Sequence, residues 1–185
     1  MDSLNTHHET APHIGREAAA APVRYMIGEC WLGAVLVATS GRGICAILLG
    51  DDRAAMRREL ALRFPAAEAI DGDRFLEALM ARVVDFVDVP GRALDFPLDP
   101  QGTEFELKVW QALREIPAGT TATYSAIAEK VGAPKRAYDV GAACAANMIA
   151  VAIPCHRVVR KDGTLAGYRW GVNRKRALLA REGAR

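Results

Sequence analysis

The 185-residue chain has no long hydrophobic run. Its apolar stretches, such as Ile44 to Leu49, fall far short of the roughly 20 residues needed to cross a bilayer, so no membrane segment is expected. The first 21 residues lack the basic start and apolar core of a secretory signal. They hold His7, His8, Pro12, His13 and an alanine run, and residues 1–22 are expected to form a flexible, solvated tail. Cysteine is scarce. Cys30, Cys45, Cys144 and Cys155 form neither a disulfide framework nor a CxxC zinc pair. Reduced thiols in a cytoplasmic setting are expected, with no metal site. An excess of one charge is also missing overall, because the net is only +2. That balance hides an asymmetry: residues 1–102 carry 10 basic against 15 acidic side chains, and residues 103–185 carry 14 against 7. A basic second half suits a polyanion such as nucleic acid, although a solvated surface would look the same.

What is present in the first half reads as scaffold. Val23 to Cys30 is a candidate strand, and Gly33–Thr39 and Ile44–Leu49 are apolar runs joined by Ser40-Gly41-Arg42-Gly43, a hairpin signal. Asp51-Asp52 can open a helix with Met56, Leu60 and Phe64 at steps of four, stopped by Pro65. Asp73 can cap a second, whose Leu76, Leu79, Met80, Val83, Val84 and Val87 follow the i, i+3, i+4, i+7 template up to Pro90-Gly91. The stretch Leu94 to Gly102, punctuated by two prolines and a glycine, reads as an extended linker. The charge balance changes there. The chain is accordingly divided into an α+β domain over 23–97 and a mostly helical domain over 98–185.

In the second half, Thr103 and Glu106 form a capping box ahead of a helix whose apolar face is Phe105, Val109, Trp110, Leu113 and Ile116. Thr123 to Val131 reads as a short helix stopped by Gly132, and Lys135 to Ala146 as another, which together match a helix-turn-helix. Ala137, Gly141, Ala142, Ala143, Ala145 and Ala146 leave much of that second helix slim, either to pack on a neighbour or to enter a narrow groove. Val151, Ile153, Val158 and Val159 suit a buried extended segment broken at Pro154, with the Cys155 thiol and the His156 imidazole at the break. After the Lys161-Asp162-Gly163 turn, Asn173 is expected to cap a last helix with Ala177, Leu178 and Leu179 inward and Lys175, Arg176 and Arg181 toward solvent. From residue types alone, a buried structural cysteine competes with a nucleophile at Cys155.

Pro154-Cys155-His156-Arg157-Val158 resembles the active-site signature of the O6-alkylguanine-DNA alkyltransferases, the methylated-DNA–protein-cysteine methyltransferases. The likeness extends to Thr123-Tyr124-Ser125, Pro134-Lys135, Ala145-Ala146-Asn147, Asp162-Gly163, Gly167-Tyr168-Arg169-Trp170-Gly171 and Leu179 to Gly183. In the first half, Gly41 to Asp51 looks like the bacterial adaptive-response type. The resemblance runs from about Val23 to Gly183. It implies a ribonuclease H-like α+β domain followed by a helix-turn-helix domain. It also implies repair of O6-alkylguanine, and of O4-alkylthymine, in double-stranded DNA bound through the minor groove. The expected protein is a monomer in the cytoplasm, associated with the nucleoid. The upstream zinc-bearing domain of some adaptive-response proteins has no counterpart here, so a transcriptional-activator role is not expected.

By resemblance Cys155 is the nucleophile and alkyl acceptor, His156 its base through a bridging water, and Glu182 the carboxylate that orients the histidine. Asn147 braces the active-site turn, and Tyr124 helps rotate the nucleotide and protonate the leaving guanine. Lys135, Arg136, Ala137, Tyr138 and Gly141 would contact DNA. Pro154, Val158, Tyr168 and Arg169 would line the base pocket, Val158 and Cys155 through their carbonyls. A thioether product is a poor leaving group, so a single turnover without cofactor is expected. The chain departs from the family where an arginine enters the gap left by the flipped base: that position is Tyr138, with Arg136 two residues away, roughly 200° around a helix. Two other readings are a lesion-binding alkyltransferase-like protein, which would lack the reactive cysteine, and a cysteine hydrolase, which would need neither a helix-turn-helix nor a basic half.

Overall fold

A computed structural model describes residues 22–184 of the chain; the expected N-terminal tail lies almost wholly outside them. Strands β1 (Arg24–Cys30), β2 (Gly33–Thr39) and β3 (Ile44–Gly50) form an antiparallel meander, because apolar runs alternate with Gly-containing turns. The sheet order is β3-β2-β1-β4, where β4 (Glu68–Ala69) is a two-residue strand parallel to β1 that the sequence did not announce. Helix α1 (Arg53–Arg63) is capped by the Asp52 carboxylate, which accepts from the amides of Ala54 and Ala55. Helix α2 (Arg74–Asp88) is capped in the same way by Asp73. Leu76, Leu79, Met80, Val83 and Val87 give α2 its buried stripe.

The stretch 94–102 does more than link. The amide of Ile44 donates to the Pro97 carbonyl at 2.9 Å, and the Asp99 amide donates to the Ile44 carbonyl at 2.8 Å. Further along the same strand, the Ile47 amide donates to the Met148 carbonyl, and the Ala150 amide to the Ile47 carbonyl, both at 2.9 Å. The outer edge of β3 is thus paired twice, once by the connection and once by a loop of the second half. Pairing satisfies backbone groups that an open edge would present to solvent.

In the second half, α3 (Glu104–Arg114) begins with the full capping box of Thr103 and Glu106. It packs on α5 (Ala137–Ala146), where the indole N–H of Trp110 donates to the Ala143 carbonyl at 2.8 Å. Between them lie β5 (Ala122–Thr123) and α4 (Tyr124–Lys130), the latter capped by Thr123 and followed by Gly132 at φ +75°. β5 pairs in parallel with β6 (Val158–Val159). The chain closes with α6 (Val172–Arg181).

Four local expectations change. Helix α5 starts at Ala137, leaving Lys135 outside it and Arg136 as its cap, because residues 133–136 form a turn with Pro134 at its second position, closed by the Arg136 amide donating to the Ala133 carbonyl at 2.9 Å. Residues 150–157 are not extended. They turn tightly at Val151 (φ +64°) and form a 3-10 turn at Cys155–Arg157, and only Val158–Val159 is strand. The cap of α6 is Gly171 at φ +96° without a side-chain bond, while Asn173 accepts instead from Arg176. Finally, Lys175 is not on the solvent side but fully buried. The overall class is α+β, as expected from the order of strands and helices.

Candidate active site

The site forms where the loop after α5 turns back toward β6. Asn147, fully buried at the C-terminus of α5, holds this turn with both ends of its amide. Its Oδ1 accepts from the Ile149 amide at 2.8 Å. Its Nδ2 donates to the Ile153 carbonyl at 2.9 Å and reaches the Cys155 Sγ at 3.4 Å. Val151 within the turn is β-branched and sits at φ +64°, a conformation costing about 1–3 kcal/mol that persists only where the surroundings enforce it. The strain and its brace both lie within eight residues of the thiol.

Cys155 is 4% exposed. Burial pushes its thiol up to about 11, while the Asn147 amide and the Lys175 ammonium pull it part of the way back. At neutral pH it is therefore a thiol that needs a base. His156 is fully buried, and burial lowers its pKa against the opposing pull of Glu182, so it is neutral. Its Nε2 lies 2.9 Å from Glu182 Oε1. Burial would raise the Glu182 carboxyl, yet the hydrogen bonds from His156 and Arg157 hold it down at about 2. An ionised carboxylate only accepts, so Nε2 carries the imidazole proton and Nδ1 is left with its lone pair. That Nδ1 is buried and has no partner among the protein atoms.

Glu182 follows the last turn of α6, yet its side chain is only 6% exposed. Arg157 grips it with Nη2 at 2.8 Å from Oε1 and Nε at 3.0 Å from Oε2, and spends Nη1 on the Ile116 carbonyl at 2.5 Å. Lys175 donates from Nζ to the Val158 carbonyl at 2.6 Å. Burial depresses the Lys175 pKa, and the Cys155 and Cys144 sulfurs oppose that shift. Sequence reading missed the roles of both cations. Lys175 was detectable, since it precedes Leu178 and Leu179 by three and four residues on the inward stripe. The Glu182 partner of Arg157, 25 residues on, was not.

Of the other residues singled out, Tyr168 stands edge-on to His156 with ring centroids 6.4 Å apart. Pro154 precedes the thiol and is buried. Arg169 is held from both sides, bound to Glu59 of α1 at 2.7 Å and to the Ala145 carbonyl at 2.6 Å. The first half, read as scaffold alone, therefore supplies an anchor for this loop, and Asp51 and the Leu32 carbonyl do the same for Arg174. Tyr124 is half-buried near Gly141, and burial raises its phenol to about 12. Lys135 and Arg136 are exposed just ahead of α5. Arg136 is bound to Asp139 at 2.5 Å with its guanidinium 3.9 Å above the Phe105 ring. Tyr138 is 90% exposed, and Ala137 and Gly141 are half-buried. Among the described residues, no three His, Cys, Asp or Glu side chains converge to hold a metal, and no helix is long and apolar enough to cross a membrane.

Residues 104–184 match a family model described as the 6-O-methylguanine DNA methyltransferase DNA-binding domain. The bifunctional transcriptional activator/DNA repair enzyme Ada of Escherichia coli is 52% identical over 86% of this chain and 45% of its own length. The methylated-DNA–protein-cysteine methyltransferase of Methanosarcina acetivorans is 34% identical over 86% of this chain and 98% of its own. The crystal structure of Mycobacterium tuberculosis OGT in complex with DNA superposes with a TM-score of 0.70 at 30% identity, covering 88% of this chain and 93% of that one. The chain spans about half the length of the Escherichia coli and Salmonella typhimurium relatives.

Proposed function

Because the chain belongs to the 6-O-methylguanine DNA methyltransferase family, we propose that it repairs DNA by moving an alkyl group from the O6 atom of guanine to Cys155 in a single, irreversible turnover. The observation that carries this reading is the buried array of Cys155, neutral His156 and ionised Glu182, braced by Asn147. Double-stranded DNA bearing O6-alkylguanine or O4-alkylthymine is the substrate, bound through the minor groove by α4 and α5 acting as a helix-turn-helix. The contacts come from Lys135, Arg136, Ala137, Tyr138 and Gly141. Residues 23–97 form a ribonuclease H-like unit and residues 98–185 the unit that carries DNA and thiol. The protein works as a monomer on DNA in the cytoplasm, at the nucleoid.

The buried thiol cannot reach a stacked base, so the base must leave the duplex. His156 Nδ1 takes the Cys155 proton through a bridging water. Glu182 holds the tautomer that makes this possible and stabilises the imidazolium that results. The thiolate then attacks the alkyl carbon. The S–C bond forms, the C–O6 bond breaks, and its electron pair goes to the guanine. Tyr124 protonates the leaving base and regains its proton from the relay. Lys175 fixes the Val158 carbonyl, which with the Cys155 carbonyl, Pro154, Tyr168 and Arg169 shapes the base pocket. The Lys175 charge also favours the thiolate as it forms. The thioether product leaves the acceptor spent.

Incubation with a duplex containing O6-methylguanine, followed by intact-protein and peptide mass analysis, tests the reading. One methyl group on Cys155 at one equivalent per protein is expected. Unmodified protein that still binds the lesion would overturn it in favour of an alkyltransferase-like lesion binder.

A further inference from the structure

Tyr138 is the most exposed large hydrophobic side chain among the described residues, at 90%. It stands in the first turn of α5. Gly141, Ala142 and Ala145 follow at i+3, i+4 and i+7, so they share one stripe of the helix with it. Beyond the ring, that stripe carries no side chain larger than a methyl group. A helix so trimmed lets its backbone approach a groove wall closely, and the ring projects further than anything beside it.

The nearest arginine is not available for the same task. Arg136 caps α5 from outside the helix, bound to Asp139 at 2.5 Å and lying 3.9 Å above the Phe105 ring of α3. Its charge is matched by that carboxylate, and its planar face is already stacked.

We propose that Tyr138 enters the base stack where the damaged nucleotide leaves it, holding the duplex open by stacking rather than by charge. The inference rests on the DNA-repair reading above. Flat and apolar side chains wedge between base steps because they replace lost base-to-base contact with contact of similar kind. Aromatic stacking on a base tolerates any sequence, which suits a residue that must act wherever damage occurs. An uncharged wedge also adds nothing to counterion release, so the salt dependence of duplex binding should be the same with or without the ring.

Single-turnover methyl transfer is measured from O6-methylguanine in a duplex and in the matching single strand, for wild type, Tyr138→Ala and Tyr138→Phe. Removing the ring is expected to lower the duplex-to-single-strand rate ratio by about 10- to 100-fold, the loss of one stacked pair. Phenylalanine, which keeps the ring and drops the hydroxyl, should restore it. A Tyr138→Ala ratio within twofold of wild type would overturn the proposal. So would a Tyr138→Phe ratio that falls as far as that of alanine, because the hydroxyl would then be the working group. If wild type takes no methyl from either substrate, the underlying repair reading fails instead, and this proposal fails with it.

Discussion

Glu182→Gln is the substitution that probes the candidate site most directly, because one carboxylate serves both His156 and Arg157. Its side chain is 6% exposed, and its carboxyl is held at about 2 rather than 4.5. A shift of that size corresponds to about 3 kcal/mol of folding stability at neutral pH. Removing one partner of a buried ion pair generally costs about 3–5 kcal/mol, in agreement. The sign follows from the direction of the shift. A carboxyl whose folded pKa is depressed contributes fully above its unfolded value and loses that contribution as pH falls through the folded one. The wild-type advantage should therefore stand at about 3 kcal/mol near neutrality, shrink below pH 4.5, and vanish near pH 2. In urea at neutral pH this is a midpoint lower by about 1–2 M. Catalysis should suffer separately. A glutamine amide can donate to His156 Nε2, which moves the imidazole proton to Nδ1 and removes the lone pair that the proposed relay needs as its base. Loss of a positioned base slows proton transfer by about 100-fold or more. Urea unfolding across pH and single-turnover methyl transfer read the two effects independently. A variant that unfolds with wild type at pH 7, or a stability gap that persists undiminished at pH 3, would refute the ion-pair reasoning. A transfer rate within twofold of wild type would refute the relay.

Lys175→Met keeps the length of the side chain but removes its charge and its bond to the Val158 carbonyl. Relief of a buried cation offsets much of the lost hydrogen bond, so the urea midpoint should move little. The Cys155 thiol should meanwhile titrate higher, because the charge that favours its thiolate is gone, and the pH profile of Cys155 alkylation by iodoacetamide measures this; an unshifted profile would remove Lys175 from the thiol's surroundings. Gly43→Ala would place a methyl 2.5 Å from the Pro97 carbonyl oxygen, forcing residues 97–99 off the edge of β3. A loss of about 1–3 kcal/mol is expected, with faster amide exchange at Ile44 and Asp99, and a wild-type urea midpoint would show that this edge is not pinned.

The elements of the first half, the two-residue β4 excepted, were legible because their signals are local. Asp52 and Asp73 cap their helices from adjacent positions, and the Ser40–Gly43 turn fixes which residues of β2 and β3 can pair. The same holds for the Thr103–Glu106 box. The Cys155 segment was misread as extended because four β-branched residues suit a strand. The buried amide of Asn147 overrides that propensity by bonding groups two, six and eight residues away. The pairing of the linker was not legible, because its partner, the edge of β3, lies about fifty residues back, and nothing within 94–102 points to it.

The sequence by itself determined the order of the long strands and helices, the α+β class and the family signature around Cys155, since each depends on near neighbours in the chain or on the motif itself. Only the tertiary structure decided the electrostatics of the site. Burial makes Cys155 a resting thiol and His156 a neutral imidazole, and bonds from His156 and Arg157 ionise Glu182 against its own burial. Lys175, a charge that composition alone assigns to solvent, lies against a backbone carbonyl beside the thiol. Desolvation depends on what surrounds a group in space, and sequence spacing does not record it.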